Sequence, residues 1–326
     1  MKKRWFFTGA AAALAALFLG CVLAVGKSTQ WFGLEQLAKG SSPQWTYERQ
    51  VTWDPSLSSV EGIRIAWGDG PVYVKPCEGT MITVTEYASR PLEEEEFFQM
   101  TSSGGVLEIQ WDHSLLPLSV FQGLEKQLEV EVPREVLSQL EEFSCGNATG
   151  NVDVSDITAQ EVNITSAAGD LSLLSLQGEK VHLSTVSGEV QWTQGKAGDL
   201  SLETTSGGVK LYQVQTGVCG VSTVTGDVNF SGQGQELSVE TISGQVYLDL
   251  SAGLKEADLR SVSGLLSLAL PQEEGFQAAY STMSGKFRSD FTGAEEKGTF
   301  LYRTGGADIQ FTTTSGDMMV RKSDRT

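Results

Sequence analysis

Nine times between Gly150 and Gly316 the chain writes one short phrase, a small or hydroxyl residue, a glycine and then an alternating apolar strand. The glycines are Gly150, Gly169, Gly188, Gly207, Gly226, Gly244, Gly264, Gly285 and Gly316, so the spacing runs 19, 19, 19, 19, 18, 20, 21 and 31. Self-similarity at this period marks a solenoid, in which each copy is one coil stacked on its neighbours.

Alignment on the glycine gives clean columns. Seven and five residues before it stand Val181 and Leu183, Leu200 and Leu202, Cys219 and Val221, Leu237 and Val239. Two and four residues after it stand Val190 and Trp192, Val209 and Leu211, Val228 and Phe230, Val246 and Leu248. Apolar residues two apart are the signature of strands with one buried face, and neither arm is long enough for an amphipathic helix. The arms are out of phase, so the chain bends between them. Val186, Val224, Ile242, Val262 and Met283, two residues before the glycine, follow the phase of the second arm, which places the bend just ahead of them. The expected fold is all-β, a parallel β-solenoid with coils of about 19 residues.

That bend turns two hydroxyl columns outward. They include Thr185 and Ser187, Thr204 and Ser206, Thr223 and Thr225, Thr241 and Ser243. A flat ladder of this kind suits a glycan or ordered water; the alternative is that hydroxyl and β-branched residues simply suit an exposed strand.

The run Thr-x-Ser-Gly-acid-Val, as in Thr185 to Val190, together with Thr223 to Val228 and Thr313 to Met318, resembles the putative-adhesin family of β-strand-repeat bacterial envelope proteins. The resemblance covers residues 60 to 320 and is specific for architecture. It implies a parallel β-helix, a membrane anchor and, in some members, a place beside envelope-stress signalling. It supplies no catalytic motif.

Lys2, Lys3 and Arg4 precede an uncharged apolar stretch from Trp5 to Gly26. At 1.5 Å per residue such a stretch crosses a bilayer core of about 30 Å. Three cations before it against Lys27 after it orient the bulk of the chain outside the cell. We therefore expect a single-pass N-terminal transmembrane helix, a cell-membrane location and an extracytoplasmic C-terminal bulk. The alternatives are a cleaved signal peptide and lipid attachment at Cys21, although Val22 to Val25 continue the apolar run past that cysteine. Residues 27–58, rich in aromatics such as Trp31, Phe32, Trp45 and Trp53, are expected to cap the solenoid or lie at the lipid interface. Residues 59–145 are expected to form irregular first coils or a β cap, and 146–326 the regular repeat.

Chemistry has little to work with. The 41 acidic against 23 basic residues give a formal charge of −18, which argues against nucleic-acid partners. The run Glu93 to Glu96 reads as a solvated loop or short helix face. Of the four cysteines, Cys21 falls in the anchor and Cys145 and Cys219 fall in inward columns four coils apart, about 19 Å and too far for a disulfide. Cys77 sits on a Pro-Cys-Glu-Gly turn. Of the two histidines, His182 points out of its strand and His113 lies in the irregular region.

The acids after the glycines, Asp170, Glu189, Asp227 and Asp317, form the one constellation compatible with glycoside or calcium chemistry. Their row is broken by Gly208, Gln245, Leu265 and Lys286. No catalytic, cofactor or metal residue is therefore expected. The reading is a non-catalytic, membrane-anchored, extracytoplasmic binding or scaffold module, adhesin-like, whose partner is a cell-wall glycan or an envelope protein. A polysaccharide-processing β-helix enzyme and a purely structural spacer are the alternatives.

Overall fold

The computed structural model describes residues 45–56, 59–111 and 123–323. The anchor at 5–26, most of the 27–58 segment and His113 lie outside the described residues. No helix among the described residues is long and apolar enough to cross a membrane.

The described residues build one solenoid core, chiefly by parallel pairing in the register that the sequence period dictates. Val190 pairs with Val209 and Val209 with Val228, while Leu200 pairs with Cys219 and Cys219 with Leu237. The inward columns are the expected ones: Leu183, Leu202, Val190, Trp192, Val209 and Val228 are all buried. Each such side chain contributes about 1.5–3 kcal/mol through its removal from water, so a coil holding four or five of them stays ordered only by sharing its faces with neighbours.

The glycine is the inner corner of each coil. A Cβ on Gly188, Gly207, Gly226 or Gly244 would lie 1.8–2.1 Å from the carbonyl oxygen of the glycine one coil below, so only hydrogen fits. A second corner lies six residues later. There Asp156, Ser175, Gln194 and Gln213 adopt left-handed backbone (φ 54–57°), a conformation that costs about 1 kcal/mol for a residue with a Cβ. The ladder continues through it, as in Ser175 N–H to Thr193 O at 3.0 Å. Trp192 is fully buried, and its indole occupies the space left by Gly195, whose Cβ would fall 2.0 Å from the ring.

Coil order in space departs from coil order in sequence at both ends. Ala307–Ser315 inserts between Glu256–Ser263 and Phe276–Thr282, pairing in parallel with each. The glycine column accordingly runs Gly264, Gly316, Gly285, and the long spacing of 31 is the loop that permits the insertion. The outermost strand is closed by Thr299–Tyr302, antiparallel to Phe276–Thr282, over a cluster of Phe276, Phe291, Phe300 and Tyr302. At the other end Gly62–Trp67 lies between Leu140–Thr149 and Val106–Trp111, so the outer coil is again a later segment. Tyr47–Trp53 pairs antiparallel with Ile82–Ala88, and that strand pairs antiparallel with Lys126–Pro133. These antiparallel additions turn the sheet edges away from further parallel stacking. Gly70, beneath Gly150, belongs to the same corner column, which the Asp69-Gly70-Pro71 context conceals in the sequence.

A buried ion pair ties this end together. Lys126 Nζ lies 2.6 Å from Glu86, both side chains being fully buried, donates to Glu96 O at 2.8 Å, and sits 4.1 Å from the centre of the Trp111 ring. Arg49 reaches the same Glu86 at 2.9 Å. The run at Glu93 is not wholly solvated. Glu94–Glu96 form a short 3-10 helix in which Glu96 is buried against Arg90.

Candidate functional site

The two hydroxyl columns part company. Ser187, Ser206, Thr225 and Ser243 are exposed along the outside of the glycine corner, as expected. Thr185, Thr204, Thr223 and Thr241 are turned inward and buried, which corrects their placement on an outer ladder. The first arm stays extended through position −3, which keeps the parity of −7 and −5. Positions −2 and −1 both face outward, so the bend falls between −3 and the glycine, over those two residues. Thr185 Oγ1 donates to Gly169 O at 3.3 Å, whereas the Thr204, Thr223 and Thr241 hydroxyls are buried without a hydrogen-bond partner. The residues between the columns face out instead: Val224, Ile242, Val262 and Met283 are exposed.

The acids after the glycine serve the stack. Asp170 Oδ1 accepts the Glu189 backbone N–H at 2.7 Å, Asp227 Oδ1 accepts that of Gln245 at 2.8 Å, and Asp317 Oδ1 that of Lys286 at 2.9 Å. Asn151 does the same for Asp170 at 3.1 Å. Each carboxylate thus braces the first backbone N–H beyond the corner of the next coil in space, and the Asp317 to Lys286 bond follows the inserted order. Glu189 instead pairs with Lys210 at 2.7 Å. Among the described residues no group of three or more His, Cys, Asp or Glu is arranged to hold a metal. His182 stands in an outward column beside Asn163 and Ser201. Cys145 and Cys219 are buried and unbridged, with burial pushing each thiol up to about 12.

Among the described residues there is also a surface concavity that the sequence did not single out. It is a shallow depression of about 430 Å³ on the outer face of the second arms, spanning four neighbouring coils. Two outward columns line it. The first is Tyr73, Asp153, Ser172 and Gln191, and the second Lys75, Ser155, Leu174 and Thr193, held in line by parallel register. Desolvation raises the Asp153 carboxyl, opposed by a hydrogen bond from Ser172 and helped by the neighbouring Asp170 charge. Desolvation followed by the Asp153 and Glu129 charges raises the Tyr73 phenol. Lys75 is raised by its contact with Glu129 and also reaches Glu131 at 3.3 Å, so its charge is satisfied from outside the depression. The only sequence signal for this surface is the run of polar residues at offsets +3 and +5, which resembles any solvated strand face.

With this geometry in view, residues 60–321 match the model of the Toastrack DUF4097 family. The chain belongs to the Toastrack DUF4097 family. Among solved structures, a putative adhesin of Parabacteroides distasonis is similar at 11% identity and TM-score 0.52, over 84% of this chain and 97% of that one. A putative lipid binding protein of the same organism is similar at 11% identity and TM-score 0.49, over the same 84% and 97%. A putative adhesin of Bacteroides fragilis is similar at 11% identity and TM-score 0.44, over 87% and 100%. Among curated proteins none matches. The first likeness bears on the Toastrack fold alone, and agrees with an all-β solenoid built of stacked strand repeats.

Proposed function

We propose that this Toastrack chain is a non-catalytic binding or scaffold module of a bacterial envelope, anchored through residues 5–26 with its bulk extracytoplasmic. One observation carries the reading. The side chains with chemical potential are committed to the stack, Asp170, Asp227 and Asp317 to backbone N–H groups of the next coil and Cys145 and Cys219 to the interior. The exposed column just before the glycine meanwhile offers one hydroxyl per coil at Ser187, Ser206, Thr225 and Ser243. Such a surface recognises without transforming, and its partner class is a cell-wall glycan or an envelope protein. The anchor rests on the cation asymmetry about Trp5 to Gly26.

Protease added to spheroplasts tests the placement. The expected result is loss of everything beyond about residue 27, with the short N-terminal tail retained in the membrane. A mature chain starting near residue 27 and free in the medium overturns the anchor. A chain starting at an acylated Cys21 replaces it with a lipoprotein.

A further inference from the structure

We propose that the depression on the second arms binds an extended, neutral glycan chain lying across successive coils. The inference rests on the binding-module reading and assigns that reading a place and a ligand class.

Shape comes first. The depression spans four coils, three steps of about 4.8 Å or about 14 Å end to end, which suits a few sugar units in an extended chain. The coil pitch is close to the length of one such unit, so one register fits along the groove. The column that includes Asp153, Ser172 and Gln191 continues as Lys210, Asn229 and Tyr247, leaving room for a longer chain.

The lining then selects the chemistry. A sugar ring shows hydroxyls at its rim and C–H groups on its faces. The groove offers both complements: hydroxyls of Ser155 and Thr193, the Gln191 amide and the Asp153 carboxyl with the Ser172 hydroxyl bonded to it, beside the Tyr73 ring and Leu174, which is 46% exposed. An exposed leucine among polar neighbours in the lining of the depression gives a ring face something to rest on.

Charge removes the competing ligands. Lys75 is held by Glu129 and Glu131, Lys210 by Glu189, and Asp153 already repels Asp170. A uronate or a phosphate would enter a field set by carboxylates with no free ammonium to meet it. Peptides are disfavoured on other grounds. The strands beneath the groove are paired on both sides, so no edge is open for strand addition.

The test is calorimetric titration of the full-length protein in detergent micelles with hexamers of β-1,4-linked glucose and of β-1,4-linked N-acetylglucosamine. Polygalacturonate and glycerol phosphate serve as anionic probes. Thr193→Arg fills the groove and is expected to weaken binding of the neutral hexamer by about tenfold or more, the loss of one or two hydrogen bonds and a ring contact. Gln191→Ala should weaken it several-fold, with a melting profile like that of the wild type to exclude misfolding. Ser201→Arg, on the outer face of the first arm, should leave it unchanged. The proposal is overturned if neither hexamer binds, if Thr193→Arg binds as the wild type does, or if an anionic probe binds in the groove in preference. An exported protein that retains cell-wall material through another surface, insensitive to Thr193→Arg, overturns the groove and leaves the broader function standing.

Discussion

Gly207 and Gly208 are adjacent in sequence, and the structure gives them opposite tolerance for a single methyl group. A Cβ on Gly207 would lie 1.8 Å from the carbonyl oxygen of Gly188 and 2.6 Å from its carbon. Relief to even 3.0 Å requires a displacement of 3.0 − 1.8 = 1.2 Å, and the atoms in the way are backbone, which no rotamer change can move. The coils must part locally, stretching Gly188 N–H to Ser206 O (3.2 Å) and Val190 N–H to Gly208 O (2.9 Å). Weakening two such bonds costs about 1–3 kcal/mol, and forcing an atom into a packed stack adds about 1–3 kcal/mol. Gly207→Ala is therefore expected to lose about 2–6 kcal/mol. A Cβ on Gly208 meets nothing closer than 3.6 Å, and the backbone there is not left-handed. Gly208→Ala should be neutral or stabilising by up to about 1 kcal/mol, because alanine restricts the unfolded chain. Urea unfolding followed by tryptophan fluorescence compares the two directly, with Trp192 one coil away as the buried reporter. Equal midpoints for the two variants would refute the corner contact and with it the reading of the glycine column.

Three further outcomes follow from contacts already described. Burial lowers Lys126 to about 8 against an ordinary 10.5, with Glu86 opposing that shift. The unfolded chain thus binds the proton more tightly, and the penalty, about 3 kcal/mol for a shift of this size, is full below pH 8 and relieved as pH rises to about 10.5; wild type should gain stability relative to Lys126→Met across that window, and parallel pH profiles would disprove it. Asp227→Ala removes the acceptor for Gln245 N–H and should cost about 1–2 kcal/mol, whereas Asp227→Asn should keep most of the stability, since Asn151 makes the same brace naturally; equal losses in thermal melts would remove the bracing role. Cys145 and Cys219, buried and raised to about 12, should resist iodoacetamide in native protein and label on unfolding, and native labelling at the rate of an exposed thiol would contradict their placement.

The regular coils were legible in the sequence because the apolar columns at −7, −5, +2 and +4 obey one register and the structure keeps it. The hydroxyl columns were misread for a physical reason. Val224, Ile242 and Val262 look like core residues by composition, yet they are β-branched residues on an exposed strand face, while the threonines at −3 pack inward as β-branched side chains, only Thr185 of Thr185, Thr204, Thr223 and Thr241 finding a hydrogen-bond acceptor. Parity with −7 and −5 was the signal that would have placed Thr185 and Thr223 inside. The order of the end coils was not legible, since a period records that copies stack and not which copy lies on which. The braces at Asp170 and Asp227 and the depression lined by Tyr73 and Gln191 depend on contacts between coils, which no single repeat displays.

A stack of like units would ordinarily peel from its ends, each terminal unit having only one neighbour to lose. Here Gly62–Trp67 and Ala307–Ser315, among the first and last strands of the chain, each have a neighbour on both sides. To strip either from the stack, a segment from the interior of the sequence must leave first, and that segment is tethered by chain at both of its own ends. A pull applied to the C-terminus therefore reaches Ala307–Ser315 as a wedged strand rather than a free flap, whereas at the other end Tyr47–Trp53, paired with Ile82–Ala88, takes the load before Gly62–Trp67 does. For a strand so wedged, the resistance is that of shearing two parallel ladders at once.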